Sequence, residues 1–434
     1  MEALGAAVRA ALDASENSTP AESVEAVTRE LGAALGATAV SLLIADLSGR
    51  ALVRLTEVAL SDPDAGPVHG VRRDETESAR VLPFDGGPRE RALVTQTAIV
   101  LAPGDPAAAG ALSGRWTVVA PISERGDAAG LLEMSLPAEP APAVVEEITR
   151  VAHLLAFVLV AARRHTDLFE WGQRTTPFTL AAEIQHRLLP PSFTCEGGAF
   201  TLAGWLEPAS SAGGDTFDYS AARDHLRFSL TDAMGHGVAA ALAATLCVSS
   251  LRGTRRAGKT LLEQADNANS AVTDHAGAVA ADIFVTGLLG QLDLATGELH
   301  LINAGHVLPF LAAADGSSPR PIPLSPDLPF GMFAHSTYHK TSMTLTAGDR
   351  LIFLTDGMTE RNAAELDLPT AIHATRDLHP REAARALADM VLDAAAGVLV
   401  DDASLLVLDW HDSHGRRQTT TAGTDAASAS LRMP

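Results

Sequence analysis

Hydrophobic residues recur along most of the chain with the period of an α-helix or of a β-strand, and the pattern divides the chain into two parts. In the first part, Val24, Val27 and Leu31 share one face of a predicted helix over 22–35. Runs typical of strands and bounded by turn residues follow at 39–45, 51–56, 97–101, 117–122 and 129–136. The pattern predicts an α/β domain over residues 21–165, preceded by a short acidic lead-in over 1–20.

A long helical stretch over residues 143–169 closes the first part. Its apolar residues repeat every seven positions, with a second set three positions further on: Ile148, Leu155, Ala162 and Phe169, then Val151 and Val158. One interpretation is the last helix of the domain, with a stripe that faces the core. The other is a signalling helix that dimerises as a coiled coil, which predicts a homodimer and a helical linker over 166–190.

Strand-like runs dominate the second part, residues 191–411, and helical patterns are inserted among them. The predicted strands are 200–207, 216–222, 225–231, 283–293, 298–303, 350–355 and 404–410, and the predicted helices are 179–189, 237–251, 258–276 and 380–396. This order is typical of an α+β fold rather than of a doubly wound parallel sheet. Residues 412–434 are rich in Ser, Thr and Ala without an apolar period, which predicts a disordered tail.

Composition and charge exclude several classes of function. The 434 residues include 53 acidic and 32 basic side chains, for a net charge of −21. Such a surface repels nucleic-acid backbones and anionic lipids, so we expect no nucleic-acid partner and no membrane partner. The longest uncharged run, 234–251, is rich in Ala, Gly and Ser, which favours a buried helix over a membrane span. Two cysteines and no signal-peptide pattern at the start predict a cytoplasmic protein.

Aspartates stand at the ends of strand-like runs at four places in the second part. They are Asp215 with Asp218, Asp232, Asp356, and Asp401 with Asp402. A single Asp-Gly pair is most simply a turn, but four strand ends can converge at one edge of a sheet. Converging carboxylates repel one another unless cations neutralise them, and oxygen ligands favour Mg²⁺ or Mn²⁺. A two-metal phosphohydrolase is therefore one hypothesis for the second part.

Three further strings carry candidate chemistry. The glycines of 232–237 allow a ligand close to the backbone, and the helix that follows favours an anion at its N-terminus. A turn with a capping histidine is the simpler interpretation. The string Asn-Ala-Gly-His at 303–306 is either a structural turn or part of a site, and the helix over 183–190 most simply serves packing.

Residues 178–410 resemble the SpoIIE-like, or RsbU-like, branch of the PPM-type metal-dependent serine/threonine phosphatases. The matching strings follow the order of that family: Ile-Gln-x-x-Leu-Leu-Pro (184–190), Gly-Gly-Asp-x-x-Asp (213–218), Asp-x-x-Gly-His-Gly (232–237), Asn-Ala-Gly-His (303–306), Thr-Asp-Gly-x-x-Glu (355–360) and Asp-Asp-Ala-Ser (401–404). The resemblance implies a PPM-type αββα sandwich and a site for two Mn²⁺ or Mg²⁺ ions. It also implies hydrolysis of phosphoserine or phosphothreonine on a protein by water that the two ions activate.

Carried over by position, the resemblance implies roles for individual residues. Asp232 bridges both ions, and the backbone carbonyl of Ala233 helps to hold one of them. Asp215 binds one ion, whereas Asp356 and Asp401 bind the other. These four aspartates form the implied catalytic set.

Two neighbouring acids, Asp218 and Asp402, are second choices as metal ligands. Met234 stands where many eukaryotic members of the family have a histidine, so no residue is assigned to protonate the leaving group. The presence of all four expected carboxylates argues against an inactive member of the family.

Residues 21–165 resemble a GAF domain, mainly in the hairpin 41–55 and in the closing strands 116–133. The resemblance implies a sensor, of unknown ligand, that regulates the phosphatase domain through the helical linker. In the phosphatase family the substrates are commonly phosphorylated anti-anti-sigma proteins with a STAS domain, which makes such a protein the expected partner.

Two alternatives to a protein phosphatase remain. One is a catalytically inactive signalling module of the same fold that binds a partner. The other is a different two-metal hydrolase such as a nucleotide phosphatase, although the sequence contains neither a P-loop pattern nor a basic pocket for nucleotide phosphates.

Overall fold

The computed structural model forms two compact units. It describes residues 9–10, 12–46, 49–60, 81–106, 114–173, 178–209, 213–359, 366–397, 399–413, 422–425 and 428–430. The described residues up to 173, together with those beyond 421, make up the first unit, and residues 178–413 make up the second.

The first unit is built on one antiparallel six-stranded sheet with the order β3-β2-β1-β6-β5-β4. Its strands are β1 (Ala39–Ala45), β2 (Ala51–Ala59), β3 (Val81–Pro83), β4 (Ile99–Leu101), β5 (Trp116–Glu124) and β6 (Asp127–Leu136). Its helices are α1 (Pro20–Ala34), α2 (Pro88–Thr95), α3 (Pro142–Ala162) and α4 (Leu168–Gln173). The predicted first helix and both predicted hairpins are confirmed, with ends that shift by a few residues.

The two faces of this sheet bury separate apolar clusters. One face packs against α1, α3 and α4, and its core includes Leu42, Leu155 and Phe169. The other face packs against α2, with Leu43 and Leu93 in the cluster. Both faces of the central strands are therefore covered, which explains why their sequence reads as nearly continuous apolar runs.

The heptad stripe of α3 is buried inside its own unit. Ile148, Val151, Leu155 and Ala162 are all buried in the core of the first unit. The helix ends at Ala162, and α4 follows as a separate short helix. The interpretation as a core-facing stripe is therefore correct, and the homodimer remains a prediction without support from this stripe.

The predicted linker over 166–190 does not form a separate element. Its first half, α4, belongs to the first unit, whereas its second half begins the second unit. Because Phe169 is buried in the first core, α4 completes that domain rather than leading away from it. The sequence also predicts that Pro177 interrupts any continuous helix in this range, but Pro177 lies outside the described residues.

The second unit contains two antiparallel sheets. The five-stranded sheet has the order β15-β12-β11-β10-β9, and the six-stranded sheet has the order β14-β13-β16-β17-β8-β7. The strands are β7 (Thr194–Glu196), β8 (Phe200–Glu207), β9 (Asp215–Ala221), β10 (His225–Ala233), β11 (Val285–Asp293), β12 (Glu298–Ala304), β13 (Phe310–Ala312), β14 (Arg320–Pro321), β15 (Thr341–Thr344), β16 (Arg350–Leu354) and β17 (Ala403–Trp410). The helices are α5 (Leu180–Leu188), α6 (Gly237–Arg256), α7 (Leu261–Val279), a 3₁₀ turn (Asp356–Met358), α8 (Leu368–Ala374) and α9 (Pro380–Ala394).

These elements stack in four layers. The two sheets face each other across one core, in which the rings of Phe228 and Phe353 are 4.8 Å apart. Helices α6 and α7 cover the outer face of the five-stranded sheet, and α8 and α9 cover the outer face of the six-stranded sheet. The α+β class is confirmed, and the layers follow the αββα order that the resemblance implied.

Helix α6 contains most of the long uncharged run. It is the one helix in the described part of the chain that is long and apolar enough, by length and composition, to cross a membrane, a test that core helices also pass. Here Ala240, Ala244 and Cys247 lie in the core with the sheet and α7. The prediction of a helix with a buried face is confirmed.

The residues after β17 differ from the predicted disordered tail wherever the structure describes them. Residues 422–425 and 428–430 belong to the first unit, and Thr424 and Ser430 are buried. The backbone carbonyl of Gly423 accepts a hydrogen bond of 2.9 Å from the backbone nitrogen of Gly126. For these residues the expectation of a disordered tail was wrong, because burial and a backbone hydrogen bond to the first unit order them, and neither depends on an apolar period in the sequence.

Candidate metal centre

Aspartates from several strand ends meet at one end of the sandwich in the second unit. Asp215 begins β9, and Asp232 lies near the end of β10. Asp356 directly follows β16 in the 3₁₀ turn, and Asp401 precedes β17. The electrostatic interactions described below show that the fold brings these carboxylates close together.

Asp215 and Asp232 stand directly opposite each other on neighbouring strands. Like charges in such a cross-strand pair destabilise a sheet. Burial is the main reason why the pKa of Asp215 lies well above its ordinary value, and the charges of Asp232 and Asp402 raise it further. The hydroxyl of Thr355 donates a hydrogen bond of 2.8 Å to Asp215 Oδ2, which offsets only part of this rise.

The pKa of Asp232 shows most directly that several acids lie close together. Burial, and to a smaller extent the nearby charges of Asp356, Asp401 and Asp402, together raise its pKa to about 7. Because these acids come from distant parts of the sequence, only the tertiary fold brings them within range of Asp232. The site stores electrostatic repulsion that a bound cation would relieve.

Two glycines permit this close approach. A Cβ atom at Gly214 would lie 2.6 Å from the carbonyl oxygen of Ala233, so that oxygen faces the loop before β9. A Cβ atom at Gly357 would overlap the carbonyl oxygen of Asp402. The 3₁₀ turn that carries Asp356 therefore packs tightly against the loop before β17.

Asp402 anchors loops within the site. Its Oδ1 accepts a hydrogen bond of 2.8 Å from the backbone nitrogen of Ala209. Its Oδ2 accepts hydrogen bonds from the backbone nitrogen of Gly213 at 3.0 Å and from Gln185 Nε2 at 2.6 Å. Both carboxylate oxygens already have partners, so Asp402 serves to position the loops that carry its neighbours.

Asp218, the other second choice, does not join the cluster. Its two oxygens pair with Arg252 at 2.8 Å and with Arg255 at 2.7 Å, both from α6. Arg252 also donates to the carbonyl oxygen of Leu188 at 2.6 Å. Asp218 thus ties the hairpin of β9 and β10 to α6 and to the end of α5.

For this reason we expect Asp218→Asn to reduce stability while it preserves turnover. Loss of the charge leaves two half-buried guanidinium groups without their counter-ion, which costs roughly 1–3 kcal/mol of unfolding free energy. Denaturant unfolding and metal-dependent phosphoester hydrolysis measure the two effects. Loss of metal binding in a variant that still folds would instead make Asp218 a ligand.

Two residues to which the sequence interpretation assigned no role in the site, Gln185 and Thr355, complete it. Gln185 Nε2 donates to the carbonyl oxygen of Asp215 at 2.8 Å as well as to Asp402. Thr355 links β16 to β17, because its hydroxyl accepts a hydrogen bond of 2.9 Å from the backbone nitrogen of Ser404. The position of Gln185 on the buried face of α5, between Ala181 and Leu188, was the available signal.

Of the two glycine-containing strings, 303–306 forms a hydrogen-bonded turn, whereas 232–237 carries Asp232 of the cluster. Asn303 Oδ1 accepts from the backbone nitrogen of His306 at 2.6 Å, and Asn303 Nδ2 donates to the His306 carbonyl oxygen at 3.0 Å. His306 is buried, which lowers its pKa to about 4, and its Nδ1 pairs with Thr286 at 2.8 Å. His236 begins α6 at the cap position without a side-chain capping bond. Glu360, the last residue of the string 355–360, lies outside the described residues.

The residues at this end of the sandwich suit a hard divalent cation by their chemistry. All candidate ligands are oxygen atoms, as Mg²⁺ and Mn²⁺ prefer. The Ser404 hydroxyl is buried near Asp215 and partly offsets the rise in the pKa of that carboxyl. Within the described ranges, no atom lies in hydrogen-bond geometry with the Ser404 hydroxyl. Within those same ranges, no three Asp, Glu, His or Cys side chains already converge in a geometry that could hold a metal. The structure thus shows an acid cluster, and the ligand set is a proposal.

The raised pKa values predict how pH affects the metal-free protein. Between about pH 4 and about pH 7, folded Asp232 holds a proton that an unfolded aspartate has released. Wild type should therefore lose stability relative to Asp232→Asn as pH rises through this window. Denaturant unfolding of both proteins in EDTA, followed by tryptophan fluorescence, measures the difference, and a difference that does not change with pH would contradict the prediction.

Comparison with known proteins identifies the type of this domain. Residues 222–411 match the family model described as Stage II sporulation protein E (SpoIIE). Among curated proteins, Protein IcfG from Synechocystis is 28% identical over 203 residues, which cover 41% of this chain and 32% of that protein. The chain therefore spans about a third of the length of this relative.

Similar solved structures are bacterial phosphatase domains. A Mycobacterium tuberculosis structure of RsbU and RsbW domains is 27% identical with a TM-score of 0.43, and the match covers 52% of this chain and 63% of that one. The SiaA-PP2C domain of Pseudomonas aeruginosa is 18% identical with a TM-score of 0.44, and the match covers 52% of this chain and 93% of that one. The family match shows a SpoIIE-type phosphatase domain in the C-terminal half of the chain.

Proposed function

We propose that the second unit is a metal-dependent serine/threonine protein phosphatase active in bacterial signalling. The carrying observation is the cluster of carboxylates around Asp232, in which burial and neighbouring acids raise the pKa to about 7. Such a group of buried acids lowers the stability of the fold. Their presence together therefore favours a function that needs several carboxylates at one place. The family match over residues 222–411 supports phosphoester hydrolysis as that function.

In this proposal, Asp232 and the carbonyl oxygen of Ala233 would help to hold two Mn²⁺ or Mg²⁺ ions. Asp215 would hold one ion, and Asp356 with Asp401 would hold the other. When bound, such ions lower the pKa of water and stabilise an in-line displacement at phosphorus. Asp356 is exposed and Asp401 is half-buried, so this side of the cluster is open to a protein substrate.

Other residues of the chain hold these carboxylates in position. Gln185 and Asp402 fix the loop before β9, and Thr355 fixes the start of the 3₁₀ turn. His306 is not suited to protonate the leaving group, because it is buried and uncharged at neutral pH. No described side chain is assigned that role.

Hydrolysis of p-nitrophenyl phosphate by the full chain tests the proposal. We expect turnover with Mn²⁺ or Mg²⁺ and none with EDTA or in Asp232→Asn. Absence of turnover together with absence of metal binding by calorimetry would instead favour a partner-binding module of the same fold.

For the substrate, we propose a phosphorylated anti-anti-sigma protein with a STAS domain. The resemblance of the six strings in residues 184–404 to the RsbU-like branch supports this choice. Release of phosphate from such a protein, at a rate above that from an unrelated phosphoprotein, is the expected result. Equal rates on both proteins would contradict the proposed substrate and would indicate a phosphatase without preference for STAS-domain proteins.

For the first unit, we propose a GAF-like sensor that regulates the phosphatase in a cytoplasmic homodimer. Its six-stranded sheet, covered by helices on both faces, supports a compact sensor domain. A rate difference between the full chain and residues 178–413 alone is the expected sign of regulation. A monomer by light scattering at micromolar concentration would contradict the dimer.

A further inference from the structure

Large apolar side chains are exposed around the acid cluster of the second unit. Met234, Val238 and Leu242 expose 42%, 42% and 46% of their surface, and Phe333 exposes 59%. Together with Met332 and Val400, these residues are called the apolar rim. Large apolar side chains that gather on one surface mark binding sites more often than chance exposure does.

One side of the apolar rim lies close to Asp232 in the sequence. Met234 stands two residues after Asp232, and Val238 follows Gly237. A Cβ atom at Gly213, in the loop before Asp215, would lie 2.8 Å from the carbonyl oxygen of Gly237. Because Val238 and Leu242 are four residues apart on α6, they share one face of the first turns of that helix, whose start lies against the loop before Asp215.

A second side of the rim is a loop that is fixed in place. Phe330 pairs with Val285, and Val285 pairs on its other side with Ala233, so this loop lies at the same end of the sheet. Asn269 Oδ1 accepts from the backbone nitrogen of Gly331 at 2.9 Å, and Asn269 Nδ2 donates to the Phe333 carbonyl oxygen at 3.0 Å. The backbone is held while the side chains of Met332 and Phe333 face solvent.

A third side of the rim lies beside the last aspartates. Val400 is exposed and directly precedes Asp401, whose charge acts on Asp232. Exposed apolar side chains therefore lie close in sequence to Asp232 and Asp401 and at the same end of the sheet as Ala233.

We propose that the apolar rim is the docking surface for the protein substrate, which presents its phosphorylated serine or threonine between apolar side chains. This inference rests on the proposed phosphatase function. Met234, Met332 and Phe333 are of the residue types that are enriched at the centres of protein interfaces. The substrate surface would bury its apolar side chains against Val238, Leu242 and Phe333 while its phosphate reaches the carboxylates.

Two synthetic phosphopeptides test the docking surface on the full chain with Mn²⁺. One carries Leu and Val on both sides of phosphoserine, and the other carries Ser and Gln at those positions. We expect kcat/KM to be at least about tenfold higher for the apolar-flanked peptide, since burying one or two such side chains favours binding by that amount. In Leu242→Gln the ratio of the two kcat/KM values should fall to within about threefold.

Leu262→Gln is the matched control. Leu262 is also an exposed leucine on a helix, but it lies in the first turn of α7, beyond the far end of the 20-residue helix α6. That helix is about 30 Å long, so this variant should keep the wild-type ratio.

The possible failures are distinguishable. A ratio near one in wild type, with both peptides hydrolysed, would overturn the docking surface alone. An unchanged ratio in Leu242→Gln would overturn the role of the rim. If Leu242→Gln instead converts a dimer to a monomer, the rim would be assigned to a second copy of the chain. No hydrolysis of either peptide or of p-nitrophenyl phosphate would overturn the phosphatase function itself.

Discussion

Asp232→Asn is expected to lower metal-dependent hydrolysis of p-nitrophenyl phosphate by about a thousandfold or more. Asp232 faces Asp215 across the strand pair and is within range of Asp356 and Asp401, so its carboxylate is central to the proposed ligand set. Removal of one such charge weakens the stabilisation of charge that develops in the transition state. Calorimetric titration with Mn²⁺ should show a matching loss of metal affinity.

The fold should survive this substitution. Asparagine keeps the size of the side chain and removes one of the mutually repelling charges, so the metal-free variant should unfold at a denaturant concentration equal to or above that of wild type at neutral pH. Asp224→Asn is the matched control, because Asp224 is exposed in the turn between β9 and β10, away from the cluster. Near-wild-type turnover in Asp232→Asn would refute its role as a ligand.

Gln185→Leu is expected to reduce both stability and turnover. The Gln185 amide donates to the Asp215 carbonyl oxygen and to the Asp402 carboxylate, and all three groups are buried. Leucine fills similar space but leaves the Asp215 carbonyl oxygen without this donor and removes one of the two hydrogen bonds to Asp402 Oδ2, at a total cost of roughly 1–3 kcal/mol. Because these bonds position the Asp215 ligand, we expect turnover to fall about 10- to 100-fold, as for partners that orient metal ligands.

Arg187→Gln serves as the control on the same helix. Arg187 is exposed and pairs with Glu183 at 3.4 Å on the surface, an interaction worth less than about 1 kcal/mol. Metal titration separates a positioning role from a merely structural one, since only the former weakens Mn²⁺ affinity in protein that remains folded. Unchanged turnover and Mn²⁺ affinity in Gln185→Leu would show that α5 only packs against the domain.

Local pattern was sufficient to predict most of the regular elements. The strands at 39–45 and 200–207 begin and end where the period predicts, because their alternation and their turn residues act within a few positions of each other. The strands β13, β14 and β15 were missed, since two to four residues are too few to show a period. The stripe of α3 fitted both a core face and a coiled coil, and only its burial in the first unit decided between them.

Sequence by itself determined the α+β class of the second unit and named every aspartate of the cluster, because residue type and strand ends are local properties. It did not determine which acids face one another. Asp218 pairs with two arginines of α6. Asp215 and Asp402 are joined by a glutamine of α5. Packing between segments that are far apart in the chain selects those partners. Because a sequence period relates only residues a few positions apart, only the tertiary structure shows them.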